Sequence, residues 1–185
     1  MKRTHHYNAI HIYFMLPYNF SLPPIAGIAG GFAEVVDMFD LDGMLLLPDR
    51  RPVFLPEVAG SRGLIVVGVG RGGERGFQMI HRFHDAGERL AKTDIHLAFV
   101  YPRESARHVM DPISVASVRF RRHPCLLLDA DGCCFTQGVP SRLLRAVYLS
   151  GEMKRLAGVD VDVRNAAWEI ELLAFLMACQ IAPSY

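Results

Sequence analysis

Residues Leu64 to Gly73 read Leu-Ile-Val-Val-Gly-Val-Gly-Arg-Gly-Gly, an apolar run that ends in a glycine turn. Such a run suits a strand buried on both faces. Phe77–Leu90 follows, with Phe77, Ile80, Phe83, His84 and Gly87 at helical spacing and Arg82, Asp85, Glu88 and Arg89 on the other side, the pattern of a packed surface helix. Ile95–Tyr101 is a second apolar strand, ended by Pro102. Strand, helix and strand in close succession make a βαβ unit, whose strands are expected to be parallel and whose crossover is expected to be right-handed.

Around that unit the remaining elements fall into place. Met44–Leu47 and Val53–Leu55 flank the polar turn Pro48-Asp49-Arg50-Arg51 as a hairpin, and Ser105–Met110 suits a short helix. Cys125–Leu128 is a third strand turned by Asp129-Ala130-Asp131-Gly132, with Cys133–Thr136 returning from it. Ala146–Ser150 and Lys154–Val159 read as an antiparallel hairpin about Gly151-Glu152. Val163–Ile181 closes the chain as a helix, with Asp162 as N-cap and Ala167, Ile170, Leu173, Ala174 and Met177 as the packed stripe. Residues 1–36, rich in aromatic, Pro and Gly positions without a sustained period, read as an N-terminal extension, and 37–185 as one domain. At 185 residues the chain is long enough for a single substantial core.

Charge and cysteine usage exclude several functions. Lys and Arg number 20 against 19 Asp and Glu, which gives no electrostatic footprint for nucleic acid. The basic group Arg119, Arg121, Arg122 and His123 lacks stacking aromatics and reads as a solvated turn. No apolar stretch reaches the roughly 20 residues that cross a bilayer, so no membrane partner is expected. The cysteines Cys125, Cys133, Cys134 and Cys179 have the spacing of neither a zinc site nor a disulfide scaffold, and a reducing cytoplasm fits them. His81 and His84, at helical i and i+3, have no third ligand nearby in sequence, so no metal is expected.

Four segments, in order, carry a resemblance. Val53-Phe54-Leu55-Pro56-Glu57-Val58-Ala59-Gly60 closes a hairpin that begins near Phe39. Pro124-Cys125-Leu126-Leu127-Leu128-Asp129-Ala130-Asp131-Gly132 is similar to a P-x-L-x-D-x-D-G segment, with one residue more before the first Asp, and Gly138-Val139 lies beyond it. Leu144-Arg145-Ala146-Val147-Tyr148-Leu149-Ser150-Gly151-Glu152-Met153 is an arginine-led strand and glycine turn. Together these resemble the peroxiredoxin, or thiol-specific antioxidant, branch of the thioredoxin-like fold from roughly Val36 to Cys179. The resemblance implies an α/β protein with a thioredoxin-like mixed central sheet flanked by helices. It also implies, in active members, P-x-x-x-T-x-x-C after the first long strand. On this chain those positions fall near Gly70, Glu74 and Phe77, and none matches. A helix N-terminus favours a thiolate through its dipole and its free N–H groups, so the departure removes the nucleophile from its prepared place.

The resemblance makes Arg145 the counterpart of the arginine that binds peroxide, and so a candidate for a small anionic or peroxide ligand. Cys133, Cys134 and Cys125 are the thiols to which redox chemistry could have moved. Gly68, Gly70 and Gly73 satisfy G-x-G-x-x-G between a strand and a helix, the context in which a dinucleotide pyrophosphate approaches a helix N-terminus. Asp40 to Gly43 and Asp129 to Gly132 each spell D-x-D-G, the phosphatase nucleophile motif, and both read as turns. The expectation from sequence is a non-catalytic interaction or assembly protein that needs no cofactor and binds a protein partner or itself, in the latter case as a homodimer. The alternatives are a thiol enzyme with a relocated cysteine and a dinucleotide-binding protein.

Overall fold

Every residue of the first long strand is buried, because both of its faces are covered. The computed structural model describes residues 40–71, 75–111, 125–135 and 138–181. Residues 1–36, the basic group at 119–123, Gly73, Glu74 and Thr136 lie outside them.

The elements in order are β1 (Leu45–Leu46), β2 (Pro52–Val53), α1 (Leu55–Val58), β3 (Gly63–Val69), α2 (Gly76–Ala91), β4 (Ile95–Pro102), a 3₁₀ turn (Arg103–Ser105), α3 (Ala106–Met110), β5 (Cys125–Asp129), β6 (Leu143–Ser150), β7 (Arg155–Asp162) and α4 (Trp168–Ile181). Two strand groups, β2-β1-β5-β4 and β3-β6-β7, meet where β4 runs beside β3, giving a mixed seven-stranded sheet. β4 and β5 are parallel, from Ala98 opposite Cys125 to Pro102 opposite Asp129. β1 with β2, β1 with β5, β3 with β6 and β6 with β7 are antiparallel.

Alternation along each strand divides the core into two layers. Ile65, Val67, Leu97, Phe99, Leu126, Leu144 and Tyr148 face α2 and α4. Leu64, Val66, Ala98, Val100, Leu127 and Val147 face α1 and the segment carrying Cys134 and Phe135. A strand with apolar side chains on both faces is stable only in such a sandwich, which is why the run at Leu64 fixed the fold class.

Three expectations are corrected. Leu55 opens α1 instead of extending β2, since Pro56 suits the first helical positions. Cys133–Phe135, the described part of the segment expected to return as a strand, is not a strand: the Cys133 and Cys134 amides both donate to the Asp129 carboxylate at 2.9 Å, which holds the chain in a turn. The closing helix begins at Trp168, not Val163, because Asp162 accepts bonds from the Arg164 amide and guanidinium and Asn165 accepts the Ala167 amide, making turns. Its packed stripe is Trp168, Leu172, Leu176 and Cys179. Ile170 and Leu173, expected inside, are 71% and 42% exposed. Among the described residues no helix is long and apolar enough to cross a membrane.

Candidate functional site

In α/β sheets the natural places for a ligand are the carboxyl ends of the strands and the helix N-termini beside them. Two cavities lie in these regions. One, of about 370 Å³, is lined by the ends of β3, β4 and β5, including Val69, Pro102 and Asp129, and by Phe135 and Val139. The other, of about 220 Å³, lies at the mouth of α2 and is lined by Arg75, Phe77, Arg107, His108 and Asp111.

The glycines of the turn are used by the protein itself. A Cβ on Gly68 would stand 2.6 Å from the Phe135 ring, and one on Gly70 would stand 2.0 Å from the Pro140 carbonyl oxygen. The Gly70 amide also donates to the Leu143 carbonyl at 2.8 Å. The space beside these two glycines is thus taken by Phe135, Val139, Pro140 and Leu143. Gly73 lies outside the described residues.

Asp129 is buried, and its carboxylate is occupied by two backbone amides. Asp40 likewise accepts the Asp42 amide at 2.9 Å. Both D-x-D-G segments are therefore turns.

The thiols are poorly placed for nucleophilic chemistry. Burial pushes the Cys125 thiol up to about 12 and the Cys179 thiol up to about 12. Cys134 is raised as well, by burial first and then by the Asp129 and Asp40 carboxylates. Cys133, half-buried, is raised by desolvation and then by Asp129, Asp131 and Asp40. A reactive thiol needs cations or a helix N-terminus, and these sulfurs have apolar walls or carboxylates instead. Arg145 sits in β6, opposite Gly68 on one side and Asp160 on the other. Its guanidinium forms a two-pronged ion pair with Asp160, Nε at 2.9 Å and Nη2 at 2.8 Å. It lines neither cavity.

The mouth of α2 is different in character. Its first turn is Gly76-Phe77-Gln78-Met79, with no acidic residue to complement the positive end of the helix dipole. The Arg75 amide is satisfied by the Gln78 side chain at 3.0 Å. α3 packs so closely here that a Cβ on Gly76 would fall 2.4 Å from the His108 carbonyl oxygen, and this brings Arg107 and His108 to the same cavity as Arg75. The His108 ring stacks on Tyr101, with centroids 6.1 Å apart and planes at 10°. Its pKa is lowered, by burial first and then by Arg107 and Arg75, against a smaller opposing effect of Asp111. Among the described residues no ion pair joins Arg75 or Arg107 to a carboxylate. Sequence reading located this helix mouth but missed Arg75, Arg107 and His108. The glycine at 76 was the available signal that another segment comes close.

No family model matches the sequence. No curated protein matches it either. Solved structures do match, by fold. Peroxiredoxin Q of Xanthomonas campestris is 17% identical with a TM-score of 0.54, over 80% of this chain and 99% of that one. The bacterioferritin comigratory protein of Xanthomonas campestris, a structure concerned with alkyl peroxide reduction, is 17% identical with a TM-score of 0.51 over the same shares. Peroxidoxin BcpB of Mycobacterium tuberculosis is 16% identical with a TM-score of 0.51, over 79% of this chain and 98% of that one. The chain has the thioredoxin-like fold that peroxiredoxins also have.

Proposed function

We propose that the protein is a binding protein built on the peroxiredoxin architecture, without cysteine peroxidase chemistry, and that it takes a small anionic ligand in the cavity at the mouth of α2. The observation that carries this reading is the exchange of chemistry at one place. Where the resemblance puts a thiolate the chain has Phe77, flanked by Arg75 and Arg107, while every cysteine is held in its thiol form by burial or by neighbouring carboxylates. Two guanidiniums around a concave site at the positive end of a helix suit a phosphate, sulfate or carboxylate group. Arg145, committed to Asp160, is not required for it.

The test has two arms. Peroxide consumption in the presence of a dithiol should not exceed that of the reductant alone, and thermal unfolding should shift upward with inorganic phosphate but not with chloride at equal ionic strength. The phosphate shift should disappear in Arg75→Ala and Arg107→Ala. Turnover that depends on Cys133, the half-exposed thiol, would replace this reading with the relocated-thiol enzyme.

A further inference from the structure

The helix that closes the chain has a second apolar side that none of the other described residues covers. Ile170, Leu173, Ala174, Met177, Ala178 and Ile181 recur at i, i+3, i+4, i+7, i+8 and i+11, which is one continuous stripe along α4. Ile170 is 71% exposed, Ile181 77% and Leu173 42%, with Ala174 and Ala178 also exposed and Met177 half-buried. Trp168, Leu172, Leu176 and Cys179 fix α4 to the body, and of the stripe only the half-buried Met177 also packs against that core. Soluble proteins rarely leave so long an apolar surface in water without an occupant.

We propose that the occupant is a second copy of the same chain, docked through α4 in an antiparallel, two-fold arrangement. The stripe is self-complementary about its midpoint. In that arrangement Ile170 meets the partner's Ile181, Leu173 meets the partner's Ala178, and Ala174 meets the partner's Met177, each contact occurring twice as a two-fold interface requires. Leu173 and Met177 each face an alanine, which lets the backbones come close while the Leu and Met side chains fill the space beside them.

Charge selects the orientation. The first turn of α4 is acidic, with Glu169 and Glu171. The far end lies beside the last turn of α2, where the Gln180 side chain donates to the Arg89 carbonyl and the basic Arg89 and Lys92 are exposed. Antiparallel docking sets the acidic end of one copy at the basic end of the other and opposes the two helix dipoles, whereas parallel docking sets like on like. A helix pair of this length buries on the order of 1,000 Å² in all, at the low end for specific interfaces, so the dimer is in exchange with monomer at micromolar concentration.

Sedimentation velocity on the full chain tests this. The weight-average mass should rise from one chain toward two between about 1 and about 200 µM. Leu173→Glu and Ala178→Glu, both at exposed positions, should hold the protein monomeric throughout with unchanged circular dichroism. A mixture of Leu173→Cys and Ala178→Cys chains should form an oxidised cross-linked dimer that neither variant forms alone, because only the antiparallel register brings 173 to 178. The proposal is overturned by a single-chain mass at every concentration, including a monomer that floats with phosphatidylcholine vesicles. It is equally overturned by a dimer that survives both glutamate variants, or by the absence of the mixed cross-link.

Discussion

α2 and α4 lie side by side on the same face of the sheet, and their outward sides are opposite in kind. α2 presents His81, Arg82, Asp85, Glu88 and Arg89 outward and buries Met79, Ile80, Phe83 and Leu90. α4, beyond the acidic Glu169 and Glu171 of its first turn, is apolar on both sides, burying Trp168, Leu172 and Leu176 while Ile170, Leu173 and Ile181 face out. A helix with one apolar stripe announces its inner face. A helix with two leaves the choice to the neighbours that can lock it, and here those are on α2. The Arg82 guanidinium pairs with Glu169 and lies over the Trp168 ring at 5.7 Å, and Phe83 meets Trp168 at 6.1 Å between centroids.

The largest expected effect separates the two stripes of α4 directly. Leu172→Ala or Leu176→Ala, at fully buried positions, should cost about 2–5 kcal/mol in urea unfolding through lost burial and a residual cavity. Leu173→Ala, one residue away on the outer stripe, should change monomer stability by no more than about 0.5 kcal/mol when measured below the dimer's concentration range. Equal losses at 172 and 173 would mean that the inner face has been assigned to the wrong stripe.

This same ambiguity marks the limit of what could be read from the chain. The buried strands at Leu64, Ile95 and Cys125 and the helix between the first two were legible because continuous apolar runs and a one-sided helix mark them without help from tertiary contacts. The stripe of α4 was not, because Ile170, Leu173 and Ala174 fit helical periodicity as well as Leu172 and Leu176 do, and periodicity carries no information about which side has a partner. At the candidate site the helix mouth was legible from the glycine turn, but its lining was not. Arg107 and His108 come from α3, and only tertiary packing brings them to Arg75.

Alkaline titration sharpens the inner side of α4. Cys179 has a thiol raised from an ordinary 9.0 to about 12 by burial. A raised folded-state pKa contributes stability that is fully present below about pH 9 and is lost as pH rises toward 12, because the unfolded chain ionises first. Cys125, Cys133 and Cys134 act in the same direction. Cys179→Ala should therefore reduce the stability lost between about pH 8 and pH 10 by about 1 kcal/mol, leaving the share of the other three. A loss of the same size with and without Cys179 would place that sulfur in water, on the outer stripe.

Arg82→Ala should have a smaller effect, because its ion pair with Glu169 is more than one-third exposed on both sides. About 1 kcal/mol is expected, chiefly from the contact with Trp168, and high salt should remove little of it. A salt-sensitive loss would shift the weight from the ring to the carboxylate.

The smallest effect belongs to the other end of α2. The His108 pKa is lowered by burial and then by Arg107 and Arg75, so the folded state holds this ring neutral at pH values where the unfolded chain has begun to take up a proton. The resulting stability is present above the unfolded value of 6.5 and is lost as pH falls from there toward the lower folded value. His108→Phe, which keeps the stacked ring on Tyr101, should flatten this part of the pH–stability profile while leaving stability at pH 8 nearly unchanged. Saturating phosphate should act on the wild-type profile in the same sense, because an anion between Arg75 and Arg107 offsets the field that opposes protonation of His108. The combination is selective: a phosphate effect on the acid limb that persists in Arg107→Ala would place the anion somewhere other than the mouth of α2.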